Sequence, residues 1–309
     1  MKNGSLKYNR QHGFILISVL ISVTMLLTSA MGYAWFARTE AKRTEMRGFI
    51  LKTRSVADIC CAATALKIAA DKNGYDSRTE ILYSPNFKTK MVVGDYNAEI
   101  SIEPLDDKIP VRGLFLPDGV TLRGEYEEAW ESIWDELKQP FAAALVLDFM
   151  DKDTKQKLGG SERENNINRV VSDLSELKLL PEINDEIIYG KKDSASALDR
   201  YLTVYGKEKV NINVARQQVI AILNRQIGIN NAASVVAARI ISPIKSMDDL
   251  KKIPGFPASV VSKLTNIIGF ESTYFCVSIK IADISKRERN YRIFLRREGS
   301  SCKIVRWEE

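Results

Sequence analysis

The chain has 309 residues, of which 45% are hydrophobic and 27% are charged, as is typical of a folded protein of about two domains. Of the formal net charge of +6, three positive charges fall in the first 13 residues, so the remainder is close to neutral. This composition excludes bulk disorder and argues against a nucleic-acid-binding protein, which carries a strongly basic surface.

A long apolar segment follows a short basic segment at the N-terminus. Residues 14–36 contain no charge, and as a helix they would be about 34 Å long, enough to cross a bilayer. Lys2, Lys7 and Arg10 precede them and predict a cytoplasmic N-terminus. Because a cleaved secretory signal has an apolar region of only about 7–15 residues, we expect a retained single-pass anchor.

The helix is predicted to continue as an amphipathic segment over residues 37–72, with its second half lying on a globular domain. Its apolar pattern is a seven-residue repeat with two flanking residues: Phe49, Val56, Ala63 and Ala70, beside Ile59 and Leu66. The stretch "DKNGYD" then ends the helix with residues typical of turns.

Strand patterns flank a large helical block. Residues 73–122 contain "KMVVG" and "YNAEISIEPL", and residues 271–309 contain "YFCVSIKIAD", "NYRIFLRRE" and "CKIVRWEE". Residues 123–270 are mainly helical in pattern, and Trp130, Ile133, Trp134 and Leu137 form an apolar stripe that predicts a core-facing helix. We therefore expect an α+β fold in which early and late strands form one sheet around an inserted helical domain.

Single polar residues in these regions receive structural interpretations. Asn213 is expected to cap the helix that follows it. The arginines of the last strands are expected on solvent faces: Arg287, Arg289, Arg292, Arg296, Arg297 and Arg306.

The four cysteines, at positions 60, 61, 276 and 302, show no zinc-binding spacing. Cys60 and Cys61 are adjacent and cannot readily bond to each other. Cys276 and Cys302 lie in strand-like segments and would form a disulfide in an oxidising compartment. The alternative is that both are small buried apolar residues.

One loop, "LDFMDKDTKQKLGGSERE", is rich in carboxylates. Asp148, Asp151, Asp153 and Glu162 surround a Gly-Gly turn, and carboxylates in one loop repel each other unless a hard cation neutralises them. Calcium prefers such ligands, although the spacing is not that of an EF-hand. Lys152 and Lys155 supply internal counter-charge, and a solvated acidic loop without metal remains the alternative.

The leader "MKNGSLKYNRQHG" followed by an unbroken apolar helix resembles the type IV pilin and type II secretion pseudopilin family. The resemblance implies that a prepilin peptidase cuts between Gly13 and Phe14 and methylates the new amine. It also implies that the helix first anchors the protein and then packs in a filament. The fifth residue after the cut is Ser18, where major subunits usually have Glu, and this difference points to a subunit at the filament tip.

Four further stretches are similar to the general secretion pathway protein K family of large minor pseudopilins. They are "SDLSELKLLPEINDEII", "YLTVYGKEKVNINVARQQVIAIL", "SMDDLKKIPGFPASVVSKLTNIIGF" and the closing strands "RIFLRRE…KIVRWEE". The resemblance implies a pilin-like long N-terminal helix packed on a small antiparallel sheet. The large inserted all-α domain would contain helix-hairpin-helix-like (SAM-like) units.

This second resemblance also implies location, partners and a metal. The protein would be anchored in the bacterial inner membrane with its C-terminal domain in the periplasm. It would assemble with other minor pseudopilins and the major pseudopilin, and would contact the exoprotein or the outer-membrane secretin. Calcium would be bound at Asp148, Asp151, Asp153 and Glu162.

Two other functions stay open at this point. A membrane-anchored DNA-uptake protein would pair an anchor with a helix-hairpin-helix, but Gly255-Phe256-Pro257 replaces the usual Gly-x-Gly and Pro257 lacks an N–H for phosphate. A minor pilin of a related type IV pilus system is the other alternative. An enzyme is not expected, because the single histidine, His12, lies in the leader and no nucleotide-binding loop is present.

Overall fold

The computed structural model describes residues 9–191 and 196–309, with no side chains described for residues 9–13. Residues 1–8 of the expected leader therefore lie outside the described residues. The chain divides into two compact units, Met1–Val56 and Ala57–Glu309, and each is described by itself.

Within the described ranges the α-helices are α1 (Asn9–Ala70), α2 (Gly124–Glu136), α3 (Ala142–Met150), α4 (Asp185–Tyr189), α5 (Gln217–Ile222), α6 (Gly228–Ile241), α7 (Met247–Lys251) and α8 (Ala258–Leu264). The strands are β1 (Thr89–Val93), β2 (Tyr96–Pro104), β3 (Ile109–Pro110), β4 (Leu202–Thr203), β5 (Val210–Asn211), β6 (Ile268–Gly269), β7 (Tyr274–Asp283), β8 (Glu288–Glu298) and β9 (Ser301–Glu308). Short 3-10 helices occur at Val111–Gly113, Leu174–Leu179 and Leu198–Arg200.

Helix α1 runs without a break for 62 residues, which confirms the predicted continuous helix. In the first unit, residues 14–38 of this helix are exposed. Four of their hydroxyl groups, those of Ser18, Ser22, Thr24 and Thr28, donate to carbonyls of the same helix, as a nonpolar environment favours. Ser18 donates to the carbonyl of Ile15 at 2.9 Å, and Ser22 donates to that of Ser18 at 2.9 Å. This is the one described helix that is long and apolar enough to cross a membrane.

The second unit is built on a five-stranded sheet with the order β1-β2-β7-β8-β9, in which every neighbouring pair is antiparallel. The pairing of β2 with β7 runs from Tyr96 opposite Asp283 to Pro104 opposite Phe275. Early and late strands therefore form one sheet across the helical block, as predicted. A register shift between Phe294 and Leu295 interrupts the pairing of β8 with β9.

The last turns of α1 bury a face of small residues in the second unit. The buried residues are the small Ala57, Cys60, Cys61, Thr64 and Ala69, together with Ile68. The Sγ of Cys60 lies 3.7 Å from the Sδ of Met91 on β1. The apolar pattern predicted to lie on the domain is in part the outer face of this helix instead, because Ile59 is 51% and Leu66 is 73% exposed.

The expected disulfide is not formed, since all four cysteines are free. Cys276 on β7 lies opposite Phe294 of β8, whereas Cys302 on β9 lies opposite Arg297 of β8. Phe294 and Arg297 are three residues apart in one strand, so the two cysteines point to opposite faces of the sheet. Strand β8 also lies between the two strands that carry the cysteines, and this separation exceeds the reach of a disulfide. The predicted bond is therefore wrong for this fold.

The helical block has an apolar core that also includes residues from 109–115 before it, and α2 contributes its two largest side chains. Trp130, Ile133 and Trp134 are fully buried, and Leu137 packs against them. The indoles of Trp130 and Trp134 meet edge to face with ring centres 5.5 Å apart. This confirms the predicted stripe, although the block also contains the short parallel pair β5–β6, and its strand β4 pairs with β3, which precedes the block.

Asn213 does not cap the following helix, because α5 begins only at Gln217. Its buried side chain instead makes two bonds to the backbone of Ile244. The Nδ2 donates to the carbonyl at 2.8 Å, and the Oδ1 accepts from the N–H at 2.8 Å. Asn213 therefore joins the approach to α5 to the segment that follows α6.

A buried ion pair joins strand β8 of the sheet to the segment that follows α1, next to the end of the insert. Arg297, predicted to face solvent, contacts the carboxylate of Asp76 and donates to the carbonyl of Ser272 at 2.7 Å. Its side chain is only 12% exposed and that of Asp76 is 0% exposed. Burial raises the pKa of Asp76, and the Arg297 charge opposes that rise.

Candidate functional site

The structure brings together three of the four carboxylates that the sequence singled out. One oxygen from each of Asp148, Asp151 and Glu162 lies within 4.8 Å of the others. Asp153 is not part of this cluster, and its carboxylate accepts the backbone N–H of Lys155 at 3.1 Å. We call Asp148, Asp151 and Glu162 the acidic cluster.

The end of α3 and the loop after it position the acidic cluster. Asp148 lies in the last turn of α3, and Asp151 is its C-terminal cap. Asn166 holds Glu162 in place by donating to its Oε2 at 3.0 Å and to the carbonyl of Asp148 at 3.1 Å. Gly160 packs so closely on Asp148 that any Cβ there would clash with the carboxylate.

The carboxylates of the acidic cluster are buried with too little positive charge beside them to neutralise them. Asp148 and Asp151 are fully buried, and Glu162 is half-buried. Among the described residues, Asp151 Oδ1 and Glu162 Oε1 have no hydrogen-bond partner. The ammonium of Lys157 contacts Asp151 Oδ2 and lies 3.8 Å from Asp148 Oδ1. One ammonium against three carboxylates leaves a net charge of about −2, which is costly to bury.

This donor set fits a hard divalent cation. All of the side-chain ligands are carboxylate oxygens, which calcium prefers and which lack the nitrogen or sulfur typical of zinc sites. The two unpartnered oxygens are the acceptors that such an ion would use. The sequence indicated the acidic residues but not Lys157 or Asn166, because one lysine or asparagine among many in a polar loop gives no spacing signal.

The Gly13–Phe14 step, the expected processing site, lies within α1. The side chain of Phe14 is 72% exposed. Peptidase cleavage at this step stays a prediction.

The lysines that would contact DNA in a helix-hairpin-helix are ion-paired within the protein. The pairs are Lys251 with Asp248 at 2.8 Å, Lys252 with Asp249 at 3.1 Å, and Lys263 with Glu128 at 3.6 Å. The connection between α7 and α8 contains Gly255 with a φ of +81°, and Pro257 precedes α8 without an N–H to offer. These features do not favour phosphate binding.

No family model and no curated protein matches the chain. A solved structure does: the crystal structure of the GspK-GspI-GspJ complex from the type 2 secretion system of enterotoxigenic Escherichia coli. The match covers 88% of this chain and 98% of the matched chain, with 12% sequence identity and a TM-score of 0.56. The chain has the fold of a component of that complex. The resemblance inferred from sequence is therefore borne out at the level of the fold, including the long first helix, the antiparallel sheet and the added helices.

Proposed function

We propose that this protein is a non-enzymatic minor pseudopilin of a type II secretion system. The observation that carries the proposal is the shared fold over 88% of the chain with a component of the GspK-GspI-GspJ complex. The apolar helix of residues 14–36 would anchor the protein in the bacterial inner membrane, with the N-terminus in the cytoplasm. The unit Ala57–Glu309 would then lie in the periplasm.

We place the protein at the tip of the pseudopilus. Ser18, at the fifth position after the proposed cut, donates its hydroxyl to Ile15 and offers no charge to the amine of a preceding subunit. A tip subunit has no preceding subunit, so the absence of a carboxylate costs it nothing. The large insert of residues 123–270 would also cap growth, because a wide head cannot be buried inside a thin filament.

Two features support binding partners and calcium. Ile59 and Leu66 form an exposed apolar strip on α1, and we propose that this strip packs on the helices of other minor pseudopilins.

Calcium would be held by Asp148, Asp151 and Glu162 with water completing its shell. The ion would neutralise the acidic cluster and tie the loop to the end of α3.

The first test is the intact mass and N-terminal sequence of the protein purified from its native membrane. We expect a chain that begins at Phe14 with one added methyl group. The variant Gly13→Leu should remain uncut, and Gly4→Leu in the same leader should be processed normally. A chain that begins at Met1 would contradict the proposal and would make the DNA-uptake protein the function to test next.

A further inference from the structure

We propose that Lys157 is the resident counter-ion of the acidic cluster and that calcium must displace it to bind. The cluster would thus hold either a tethered ammonium or a divalent cation, but not both at once. The competition rests on the proposed calcium site. The role of Lys157 as counter-ion without metal rests on this chain's own contacts alone.

Lys157 is held at the acidic cluster by its backbone as well as by its side chain. Its N–H donates to both carboxylate oxygens of Asp148, at 3.1 and 3.2 Å. From this point the side chain turns back over the cluster, where the ammonium contacts Asp151 and approaches Asp148 at 3.8 Å. The contact therefore does not depend on a freely moving surface chain.

The ammonium lies where a metal ion would need to bind. It contacts Oδ2 of Asp151 and lies near Oδ1 of Asp148. These are two of the three buried or half-buried carboxylates that would also hold the ion. Two cations so close together would repel each other strongly in a site of low dielectric constant. Binding of calcium therefore requires the ammonium to leave, and 26% of the Lys157 side chain is exposed, which gives it a path to solvent.

The ammonium satisfies the carboxylates of the site less completely than a divalent ion would. With Lys157 in place, Asp151 Oδ1 and Glu162 Oε1 have no partner, and one positive charge faces three negative ones. A divalent ion carries twice the charge and accepts six to eight oxygen ligands, so it would use these two atoms. The consequence is a loop that stays folded without metal but binds calcium less tightly than its three carboxylates would allow.

The test compares Lys157→Met with Lys155→Met in the full-length protein in detergent. Methionine keeps the apolar length of the side chain and removes the charge. Lys155 is an exposed lysine of the same loop and serves as the matched control. Each protein is purified in calcium, stripped with EGTA and measured twice, by calorimetric titration with calcium and by thermal unfolding in EGTA. Lys157→Gln is measured alongside, in case the methionine variant does not survive the removal of calcium.

We expect the Lys157 variants to bind calcium about tenfold or more tightly than the wild type, and to melt several degrees lower in EGTA. Lys155→Met should match the wild type in both measurements. Equal calcium affinities with equal melting temperatures would overturn the proposal while leaving the calcium site intact. If no variant binds calcium, the competition and the calcium site both fail. An unchanged melting temperature in EGTA would then reject the counter-ion as well.

Discussion

At the scale of single residues, Gly160 shows how a loop position can be fixed by one neighbour. A Cβ at this position would overlap the carboxylate of Asp148, whose oxygens also accept the N–H of Lys157. The second glycine of the Gly-Gly turn is therefore required by close packing. The first, Gly159, is required by its φ of +80°.

We predict that Gly160→Ala destabilises the protein by about 1–3 kcal/mol, because the added methyl group must push a buried carboxylate out of its site. Gly124→Ala is the matched control, since nothing lies within 4 Å of that position. Denaturant unfolding followed by tryptophan fluorescence measures both. An equal effect of the two substitutions would mean that the contact between Gly160 and Asp148 is not tight in solution.

The buried carboxyl of Asp106 predicts the direction in which the stability of the protein changes with pH. Burial raises its pKa to about 7, although two backbone N–H groups, of Thr273 and Tyr274, donate to it at 2.8 Å and oppose the rise. A carboxyl whose pKa is higher in the folded state stabilises the fold at low pH. That contribution is complete below the unfolded pKa of about 4 and is lost as the pH rises through about 7.

We therefore predict that the free energy of unfolding falls by about 2–3 kcal/mol between pH 5 and pH 8 on account of this group. Asp106→Asn should remove most of that slope, whereas Asp135→Asn, at the exposed end of α2, should leave it unchanged. Thermal melts across this pH range provide the measurement. A slope that survives in Asp106→Asn would assign the titration to other carboxyls, such as Asp76 or Asp107, whose pKa values burial also raises.

At the scale of elements, the second half of α1 has two different apolar faces. The buried face consists of small residues such as Ala57, Cys60 and Thr64, while Ile59 and Leu66 point away from the unit. Small side chains allow the helix to lie close to the sheet. Large exposed apolar residues at a spacing of seven are typical of a helix that packs on another helix.

We predict that Ile59→Glu together with Leu66→Glu abolishes copurification with the minor pseudopilins proposed above as partners and leaves the melting temperature nearly unchanged. The charges would have to be buried in the helix–helix contact, which costs several kcal/mol, but they are solvated in the isolated subunit. Lys67→Glu, a neighbouring exposed position, is the control and should copurify normally. Retained copurification of the double variant would place the contact elsewhere.

At the scale of the whole second unit, one buried ion pair links three distant parts of the chain. Asp76 follows α1, Ser272 follows the insert, and Arg297 lies near the end of β8. The carboxylate of Asp76 accepts from the backbone of Ser272 and from Arg297, which also donates to the carbonyl of Ser272. The contact thus joins the segment after α1 to strand β8 and to the point where the chain returns from the insert to the sheet.

We predict that Arg297→Ala lowers the stability of the protein by about 3 kcal/mol or more, because it leaves the charge of Asp76 buried and unpaired. Arg292→Ala should cost less than about 1 kcal/mol, since its ion pair with Glu308, at 3.5 Å, is exposed. Chemical denaturation distinguishes the two. The double variant Asp76→Asn/Arg297→Met should recover part of the loss, and a failure to do so would show that the pair does more than neutralise charge.

The sequence by itself determined the elements of this protein. The five strands of the main sheet were predicted within about two residues of their bounds, because alternation and β-branched residues act locally, whereas the two-residue strands β3 to β6 were not predicted. Helix α1 and the buried stripe of Trp130 and Trp134 were predicted for the same reason, since helical periodicity is also a local property. The three carboxylates of the acidic cluster were recognisable, together with Asp153, from their position around one Gly-Gly turn.

Only the tertiary structure decided which residues meet. It placed Cys276 and Cys302 on opposite faces of the sheet, buried Arg297 on Asp76, and brought Lys157 rather than Lys152 or Lys155 to the acidic cluster. Such contacts depend on strand register and on the path of loops between distant elements. No local pattern encodes these, because one lysine or cysteine has the same propensity in every register.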